Sequence, residues 1–497
     1  MSAAAHPGHW ARSLATAVVL VASVVIVSVP LARSGAPGPG QATPEPIDWH
    51  ACEPEGFQCA SVPVPLDPDD PDGARTALFL KRLPASGSPG ERIGTLFLNP
   101  GGPGGSANDF LVQVAPMMAE EVRDAFDLVA LNPRGVAPSS PTISCPGPGD
   151  DDRWANTLPT TAADWSEFFA WAAPITAQRS TSCQLAFART GAFYGTNVVV
   201  EDLEWLRRAV GDDAVNYWGV SYGTRIGEVY AQRYPDRIRS MVLDGNIDPA
   251  VTQVTFTSER AASFDDAFAF FVDQFPDAGP AFETVATALG SGPMQVLDAN
   301  SGEPVTLTYS SLVGEVIMGV LSAEVLWTLL AGELVALADQ VEGGPTASVL
   351  LAGQDENAST VNTQVNCTDL TDSPSVETMI STATTMAAEG PTFGSAVAMG
   401  VVACFGFPLP VDAVPDASPP ATLPPVLLLG SVHDPSTPYV WSEAMEVFLP
   451  NSVLVTYEGA QHGTWNTTGA CIADLANAYV LELSVPAPGI ECPFVMP

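Results

Sequence analysis

The chain has 497 residues, of which 46% are hydrophobic, so it is long enough to bury a large core in one or more domains. It carries 56 Asp and Glu residues against 18 Lys and Arg residues, which gives a formal net charge of −38 at pH 7. Nucleic acids and anionic membrane surfaces repel such a chain, so we expect neither as a partner and interpret the charge as an acidic surface that keeps the protein soluble in a salty or extracellular setting.

The first 40 residues have the pattern of an export signal followed by a tether. Arg12 precedes an apolar run over about residues 14–32, and a segment rich in Pro and Gly follows. This order is typical of a secretory signal peptide, but the run also approaches the length that spans a bilayer, so an uncleaved N-terminal anchor stays open. Either interpretation predicts a protein of the exterior or the cell envelope, with membrane contact only through this segment.

The cysteines agree with export. Their number is even, and they include no C-x-x-C pair with nearby histidines, which argues against a zinc site. In an exported chain they predict four disulfides; eight cysteines allow 105 pairings, and proximity in the sequence suggests the pairs 52–59, 145–183, 367–404 and 471–492. The eight residues are Cys52, Cys59, Cys145, Cys183, Cys367, Cys404, Cys471 and Cys492.

Apolar segments that alternate with helical ones predict a mostly parallel sheet covered by helices on both faces. The predicted strands are "CASVPVPLDP", "RTALFLKRLP", "IGTLFLN", "FDLVAL", "AVNYWGV", "SMVLDG", "PPVLLLGS" and "SVLVTYEG". A helix is predicted over 196–210, with Thr196 or Asn197 as its N-cap and Gly211 at its end. A second helix is predicted to begin near Thr224 and to stop at Pro235.

Between about residues 250 and 420 the pattern becomes helical and irregular. One helix there places Phe264, Phe268, Phe271 and Phe275 along a single stripe, which indicates buried packing more than a substrate surface. A segment inserted between two strands of the sheet predicts a mainly helical cap. We therefore expect a signal or anchor with its tether over 1–40, a core over 45–249, the cap over 250–420, and the end of the core over 421–497.

Ser221 is the candidate nucleophile. It lies in "GVSYG", the only G-x-S-x-G segment of the chain, where a predicted strand must turn sharply into a helix. That context is the nucleophile elbow of a hydrolase, and it points the N-terminus of the helix at a developing negative charge. The alternative is a glycine-rich turn without a catalytic role.

A serine hydroxyl needs a base and the base needs a carboxylate. Of the five histidines, His462 is favoured, because it follows the last predicted strand of the sheet in "YEGAQHGTW"; an exposed loop histidine is the alternative. Asp434, in "GSVHDPSTP", ends the preceding strand and gives the chain order Ser, Asp, His. Asp244 also ends a strand and remains the rival carboxylate.

The loop "NPGGPGGSA" after the third predicted strand is the candidate oxyanion hole. We expect the backbone N–H of Gly102, or alternatively of Gly101, to act together with that of Tyr222. A tight turn without a ligand role is the other interpretation. No metal or phosphate signature accompanies these residues, so no cofactor is predicted.

Taken together, "LFLNPGGPGGSA", "NPRG", "NYWGVSYGTR", "RIRSMVLDG", "GSVHDPSTPYVWSEAM" and "VTYEGAQHGTW" resemble the secreted tripeptidyl aminopeptidases of actinobacteria, α/β-hydrolase serine peptidases grouped with the prolyl aminopeptidases. The resemblance covers nearly everything after the export segment, including the cysteine positions. It implies an α/β-hydrolase fold, Ser221 as nucleophile, Asp434 as acid, His462 as base and an oxyanion loop over 101–105. It also makes residues 421–497 the TAP-like part.

The resemblance implies, in addition, acidic groups of the cap that bind the free amino end of a peptide, and none of the many carboxylates is singled out for this. The chain departs from the family at Asn132, where a D-P-R-G turn would have aspartate.

These observations predict an exported, monomeric serine hydrolase that acts on a peptide or small acyl substrate through an acyl-enzyme. A peptidase that releases short N-terminal segments fits the resemblance. A secreted carboxylesterase or lipase-like enzyme with the same three residues is the alternative, and a binding module without catalysis is the third.

Overall fold

The computed structural model describes residues 43–143, 145, 158–186, 193–351, 355–370, 372–407, 413–414 and 417–496. Residues Ala42–Pro497 form one compact unit. The predicted signal or anchor over 1–40 lies outside the described residues. Within the described ranges, no helix combines the length and the hydropathy that a membrane span requires.

A ten-stranded sheet forms the centre of this unit, in the order β1-β2-β3-β5-β4-β6-β7-β11-β12-β13. Neighbours pair parallel from β5 to β13, whereas the pairs β1/β2, β2/β3 and β3/β5 are antiparallel. The thirteen described strands are His50–Cys52 (β1), Phe57–Pro65 (β2), Arg75–Leu83 (β3), Gly94–Asn99 (β4), Phe126–Leu131 (β5), Val215–Val220 (β6), Ile238–Asp244 (β7), Met294–Asp298 (β8), Pro304–Leu307 (β9), Ser348–Val349 (β10), Val426–Ser431 (β11), Ser452–Tyr457 (β12) and Ile490–Cys492 (β13).

The pattern of buried and exposed residues differs between the parallel and the antiparallel strands of the sheet. Every residue of β4, β6 and β11 is buried, as expected for parallel strands with helices on both faces. In β2 the pattern alternates instead, with Val62 and Val64 buried and Ser61 and Pro63 exposed, because one face of this antiparallel hairpin meets solvent. All eight predicted strands are present.

Helices cover the sheet and build the cap. The main described helices are Ala107–Val114 (α1), Glu120–Ala125 (α2), Ala162–Ala186 (α3), Thr196–Val210 (α4), Tyr222–Arg233 (α5), Gln253–Gln274 (α6), Ala278–Leu289 (α7), Trp327–Val341 (α8), Glu356–Asp369 (α9), Val376–Glu389 (α10), Gly394–Ala398 (α11), Tyr439–Phe448 (α12) and Ala470–Glu482 (α13). Short helical turns lie at Tyr309–Ser311, Leu312–Ile317, Met318–Leu321, Glu324–Leu326 and Met399–Val402, among others.

Helix α4 has the predicted bounds but not the predicted cap. Gly211 ends it at φ +83°, where its N–H donates to the carbonyls of Arg207 and Arg208. The residue before the helix is Gly195, which offers no side chain. Thr196 instead donates through its N–H and its hydroxyl to Asp369, at 3.0 and 2.6 Å, so this threonine anchors a neighbouring segment and the N-cap prediction is wrong.

The cap residues surround a second, largely aromatic cluster. Phe264, Phe268 and Phe271 of α6 are buried in it, as the stripe predicts, and the rings of Phe268 and Phe282 meet edge to face at 5.1 Å. The region also holds a three-stranded sheet, β10-β8-β9, that the sequence did not indicate. Helix α3, from outside the predicted cap range, packs Trp165 and Phe168 into the same cluster. The exact domain boundaries remain a prediction.

Four disulfides join the pairs that proximity in the sequence suggests: Cys52–Cys59, Cys145–Cys183, Cys367–Cys404 and Cys471–Cys492. The first ties β1 to β2, and the third ties α9 to the segment that follows the cap helices. No described cysteine is free.

Candidate active site

Ser221 occupies the sharp turn between β6 and α5. Its backbone is at φ +56° and ψ −122°, a conformation that side-chain-bearing residues rarely adopt. The turn is held from both sides: the Ser221 N–H donates to the Asp244 carbonyl at 3.0 Å, and the Ser221 carbonyl accepts from the N–H and the hydroxyl of Thr224 at 2.8 and 2.6 Å. A strained serine fixed in this way is the geometry of a nucleophile elbow.

The two glycines around Ser221 are required by close backbone approach. A Cβ added to Gly219 would lie 2.3 Å from the carbonyl oxygen of Gly223, and one added to Gly223 would lie 2.7 Å from the carbonyl oxygen of Asn99. The strand, the helix and the loop after β4 therefore meet too tightly for any side chain at either position. This is the physical reason for the G-x-S-x-G spacing.

His462 and Asp434 lie together on the loops after β12 and β11. The imidazole Nδ1 is 2.9 Å from Asp434 Oδ2 and 3.1 Å from Oδ1. Asp434 is almost fully buried, and it also accepts from the N–H groups of Ser436 and Thr437 and from the Thr437 hydroxyl at 2.8, 3.0 and 2.8 Å. Because Nδ1 of His462 faces Asp434, Nε2 is the ring nitrogen available for proton transfer.

Asp244, the rival carboxylate, holds backbone instead of the histidine ring. It is buried, and its oxygens accept from the N–H of Thr464 at 2.8 Å, the N–H of Trp465 at 2.9 Å and the Thr464 hydroxyl at 3.0 Å. Asp244 therefore fixes the loop that carries His462, two residues earlier, while Asp434 contacts the imidazole.

The pKa of His462 lies above its ordinary value. Burial by itself lowers the pKa of the imidazole, but the charge and hydrogen bond of Asp434 and the charge of Asp244 raise it by more. The nearby Arg260 guanidinium acts in the opposite direction and lowers it. The net effect stabilises the imidazolium that forms when His462 accepts a proton.

The glycine loop over 101–105 lies directly against Ser221. A Cβ on Gly101 would come within 2.8 Å of the Ser221 Cβ and 2.7 Å of the Tyr222 nitrogen. The Gly101 N–H donates to Asn99 Oδ1 at 2.9 Å, so it is already used. Among the described residues no hydrogen bond occupies the Gly102 N–H, and of the two glycines this favours Gly102 as the oxyanion donor beside Tyr222.

Ser221, Gly102 and His462 line one cavity of about 570 Å³ that opens to solvent between the sheet and the cap. Its remaining lining residues come from α6, α9 and the loops after β4, β7 and β11: Pro103, Ile247, Phe256, Arg260, Asn362, Asn366, Ser436 and Thr437. None of the described lining residues is Asp or Glu. The acidic groups for a peptide amino end that the resemblance implies are thus not among them.

The cap also holds the histidine loop in place. The His462 N–H donates to the Ser322 carbonyl at 3.0 Å. Glu324, which is buried, accepts from the Tyr457 hydroxyl at 2.8 Å and from the N–H groups of Ala460 and Gln461 at 2.7 and 3.1 Å. The position of His462 therefore depends on contacts with the cap as well as on the core.

Sequence reasoning missed Thr437 and Arg260. Thr437 lies three residues after Asp434, and its hydroxyl is 3.2 Å from His462 Nδ1; a threonine that closes a turn on an aspartate is a common local pattern and gave no separate signal. The sequence does mark Arg260, because it is the only Arg or Lys after Arg239, in a part of the chain rich in Asp and Glu. No described cluster of His, Cys, Asp or Glu has the arrangement to hold a metal ion.

Asn132, which departs from the aspartate of a D-P-R-G turn, is buried, and both polar atoms of its side-chain amide form hydrogen bonds. Its Oδ1 accepts from the Asn108 N–H at 3.0 Å and its Nδ2 donates to the Ala137 carbonyl at 2.6 Å. An aspartate could make the first bond but not donate the second. The departure alters this turn without reaching the cavity.

Two protein-family profiles match the chain: the α/β hydrolase fold over residues 94–282 and the TAP-like protein family over residues 390–492. The serine protease Hip1 of Mycobacterium tuberculosis is 32% identical over 527 aligned residues that cover 97% of each chain. The tripeptidyl aminopeptidase of Streptomyces coelicolor is 28% identical, over 93% of this chain and 88% of the relative. A carboxylesterase B of M. tuberculosis is also 28% identical, over 97% and 99%.

These likenesses cover nearly the whole chain. The chain belongs to the TAP-like α/β-hydrolase family and is a serine hydrolase.

Proposed function

We propose that this chain is an exported serine peptidase that releases short segments from the amino ends of peptides. The observation that carries the proposal is that Ser221, on its strained turn, and His462, held by Asp434, line the same cavity. The relatives named serine protease Hip1 and tripeptidyl aminopeptidase support peptide bonds as the target.

In the proposed mechanism, His462 Nε2 takes the proton of the Ser221 hydroxyl while Oγ attacks the substrate carbonyl. The N–H groups of Gly102 and Tyr222 bind the resulting oxyanion. The protonated His462 then gives its proton to the leaving group, whose bond to the carbonyl carbon breaks, and an acyl-enzyme remains. Water attacks the acyl-enzyme by the same route in reverse, with His462 again as the base, and Ser221 is regenerated.

The proposal includes a place outside the cytosol. Four disulfides fit an oxidising compartment, where such bonds form and persist. The N-terminal segment is either removed on export or kept as an anchor. The N-terminal sequence of the exported protein distinguishes the two, because removal leaves a new N-terminus after the apolar run.

Labelling with a fluorophosphonate probe tests the nucleophile. The full-length protein should be labelled, Ser221→Ala should not, and Ser381→Ala, at an exposed position of α10, should label like the unchanged protein. Labelling of Ser221→Ala equal to that of the unchanged protein would refute the assignment of the nucleophile.

A second candidate, a carboxylesterase, is favoured by one observation: no described residue that lines the cavity has a carboxylate for the amino end of a peptide. A tripeptidyl p-nitroanilide with a free amino end, its N-acetylated counterpart and p-nitrophenyl butyrate separate the two functions. A peptidase of the proposed kind cleaves the first and discriminates against the second. Cleavage of the butyrate ester with neither anilide cleaved would establish the esterase.

A further inference from the structure

Among the described residues that line the cavity, Arg260 is the only Arg or Lys. In the whole sequence it is the only Arg or Lys after Arg239, and the segment it belongs to is otherwise rich in Asp and Glu. It lies on α6 and lines the cavity together with Ser221 and His462. This places a single positive charge of an acidic region in the same cavity as the candidate nucleophile.

Aromatic packing holds the guanidinium in this place. Its Cζ lies 5.1 Å from the ring centre of Phe256 and 5.8 Å from that of Phe264. Phe256 in turn stacks on Trp441, with ring centres 5.6 Å apart, and the Trp441 indole N–H donates to Glu259. The side chain is therefore oriented by neighbours that pack against it without neutralising its charge.

No carboxylate of the described residues forms an ion pair with Arg260, and no hydrogen bond joins it to them. Its Nε is buried and has no hydrogen-bond partner. Asp434 is close enough to act on it electrostatically, but the Asp434 oxygens already accept from His462, Ser436 and Thr437. A buried donor of this kind costs free energy unless something else binds it.

The rest of the cavity wall is compatible with an anion. Its described side chains are apolar groups, hydroxyls, the His462 imidazole and the amides of Asn362 and Asn366, with no Asp or Glu among them. A bound ammonium group would meet the Arg260 guanidinium and no carboxylate among the described lining residues, whereas a carboxylate would find a planar guanidinium with donors to spare.

We propose that Arg260 is a specificity-determining residue that binds a carboxylate of the substrate near the scissile carbonyl. The proposal rests on the hydrolase function proposed above and adds the substrate class. The carboxylate could belong to the acyl part, as an acidic side chain does, or to the leaving group, as the carboxyl end of a short peptide does. The two sources share this chemistry and differ only in the side of the scissile bond on which the charge lies.

The net charge of the molecule gives Arg260 a particular importance. At −38 the protein repels anions at long range, but salt screens that field beyond about 8 Å at physiological ionic strength. A local guanidinium inside the cavity then decides whether an anionic substrate is accepted.

Two pairs of esters test the proposal on the full-length protein. On the acyl side, the p-nitrophenyl monoester of glutaric acid is compared with its methyl-capped, neutral counterpart. On the leaving-group side, 4-carboxyphenyl butyrate is compared with 4-carbamoylphenyl butyrate. The readout is the ratio of kcat/KM for the charged and the neutral member of each pair, because an effect of Arg260 on His462 alone would change both members equally.

We expect the unchanged protein to favour the charged member of one pair, and that pair identifies the source of the carboxylate. Arg260→Gln should reduce this ratio by about tenfold to a hundredfold, the range for a charged hydrogen-bonded pair. Arg260→Lys should restore part of it. Arg75→Gln, which removes the same charge from an exposed position on β3, should leave the ratio unchanged.

Equal ratios in the unchanged protein and Arg260→Gln for both pairs, with the neutral esters still hydrolysed, would overturn the anion subsite and leave the hydrolase intact. A protein that hydrolyses neither the esters nor a tripeptidyl anilide would instead contradict the proposed function. Competitive inhibition of the unchanged protein by glutarate but not by glutaramide tests the subsite without any variant, and equal inhibition by the two would count against it.

Discussion

At the scale of single residues, the two aspartates at strand ends have separable roles. Asp434→Asn removes the carboxylate that orients the imidazole, so we expect kcat to fall on the order of 10³- to 10⁴-fold with the fold retained. Asp244→Asn weakens the hold on the N–H groups of Thr464 and Trp465, so we expect a loss of about 1–3 kcal/mol in the free energy of unfolding and a smaller loss of kcat. Urea unfolding and steady-state kinetics measure both. A larger loss of kcat in Asp244→Asn would make Asp244 the acid of the site.

The pH dependence of the reaction follows from His462. The base must be neutral to accept the Ser221 proton, and its pKa lies above the ordinary 6.5 because Asp434 and Asp244 outweigh the effects of burial and Arg260. We therefore expect kcat/KM on a neutral ester to fall as the pH is lowered, with an inflection above 6.5. Arg260→Gln should move the inflection to higher pH, since it removes a cation, and Arg75→Gln should not. An inflection below 6.5 in the unchanged protein would contradict this account of the site.

The sequence predicts which residue types form the site but not all of the contacts between them. The type and order of Ser221, Asp434 and His462 could be predicted, because each follows a recognisable strand. The sequence favours Asp434 and keeps Asp244 as a rival, since both end parallel strands and only the packing of the loops brings one of them to the imidazole. Gly102 was the preferred oxyanion donor with Gly101 as the alternative, and the contact that separates them is the hydrogen bond from the Gly101 N–H to Asn99 Oδ1.

At the scale of elements, the strength of the periodic signal decided what could be predicted. The buried strands and helices α4 and α5 were predictable, because their apolar residues form uninterrupted or regularly spaced sets. The cap strands β8, β9 and β10 have five, four and two residues and are partly exposed, so neither length nor alternation marks them. Helix α3 was not predicted at all; Pro174 lies in its interior, a position where proline usually breaks a helix.

The elbow offers a test at this scale with the same substitution at two glycines. Gly219→Ala places a methyl group 2.3 Å from the Gly223 carbonyl oxygen, so strand and helix must separate. We expect a loss of more than about 3 kcal/mol in the free energy of unfolding, or no folded protein. Gly332→Ala, at an exposed position of α8 with no atom near the added Cβ, should instead gain about 0.5–1 kcal/mol. Similar stabilities of the two variants in urea unfolding would show that the elbow is not as tight as described.

At the scale of the whole molecule, the fold class could be predicted and the arrangement of its acidic charge could not. Alternating strands and helices fix a mostly parallel sheet, and the long interruption before β11 predicts a cap. Composition gives the sum of the charges, but only the structure shows that Arg260 faces the cavity while carboxylates such as Asp244, Asp434 and Glu324 are buried as acceptors of hydrogen bonds.

The remaining acidic charge predicts how stability responds to salt. With 56 acidic against 18 basic residues, most carboxylates have no cation to pair with and repel one another, and this repulsion destabilises the compact state. Salt shortens the screening length from about 30 Å at 0.01 M to about 8 Å at 0.15 M, so we expect the free energy of unfolding to rise by ~2 kcal/mol over that range. Urea unfolding at increasing NaCl measures the rise, because urea itself is uncharged, and KCl should give the same curve if screening is the cause. A urea midpoint that stays constant or falls with added salt would mean that folding does not concentrate the negative charge. A rise in the free energy of unfolding with NaCl or KCl alone would indicate specific cation binding in place of screening.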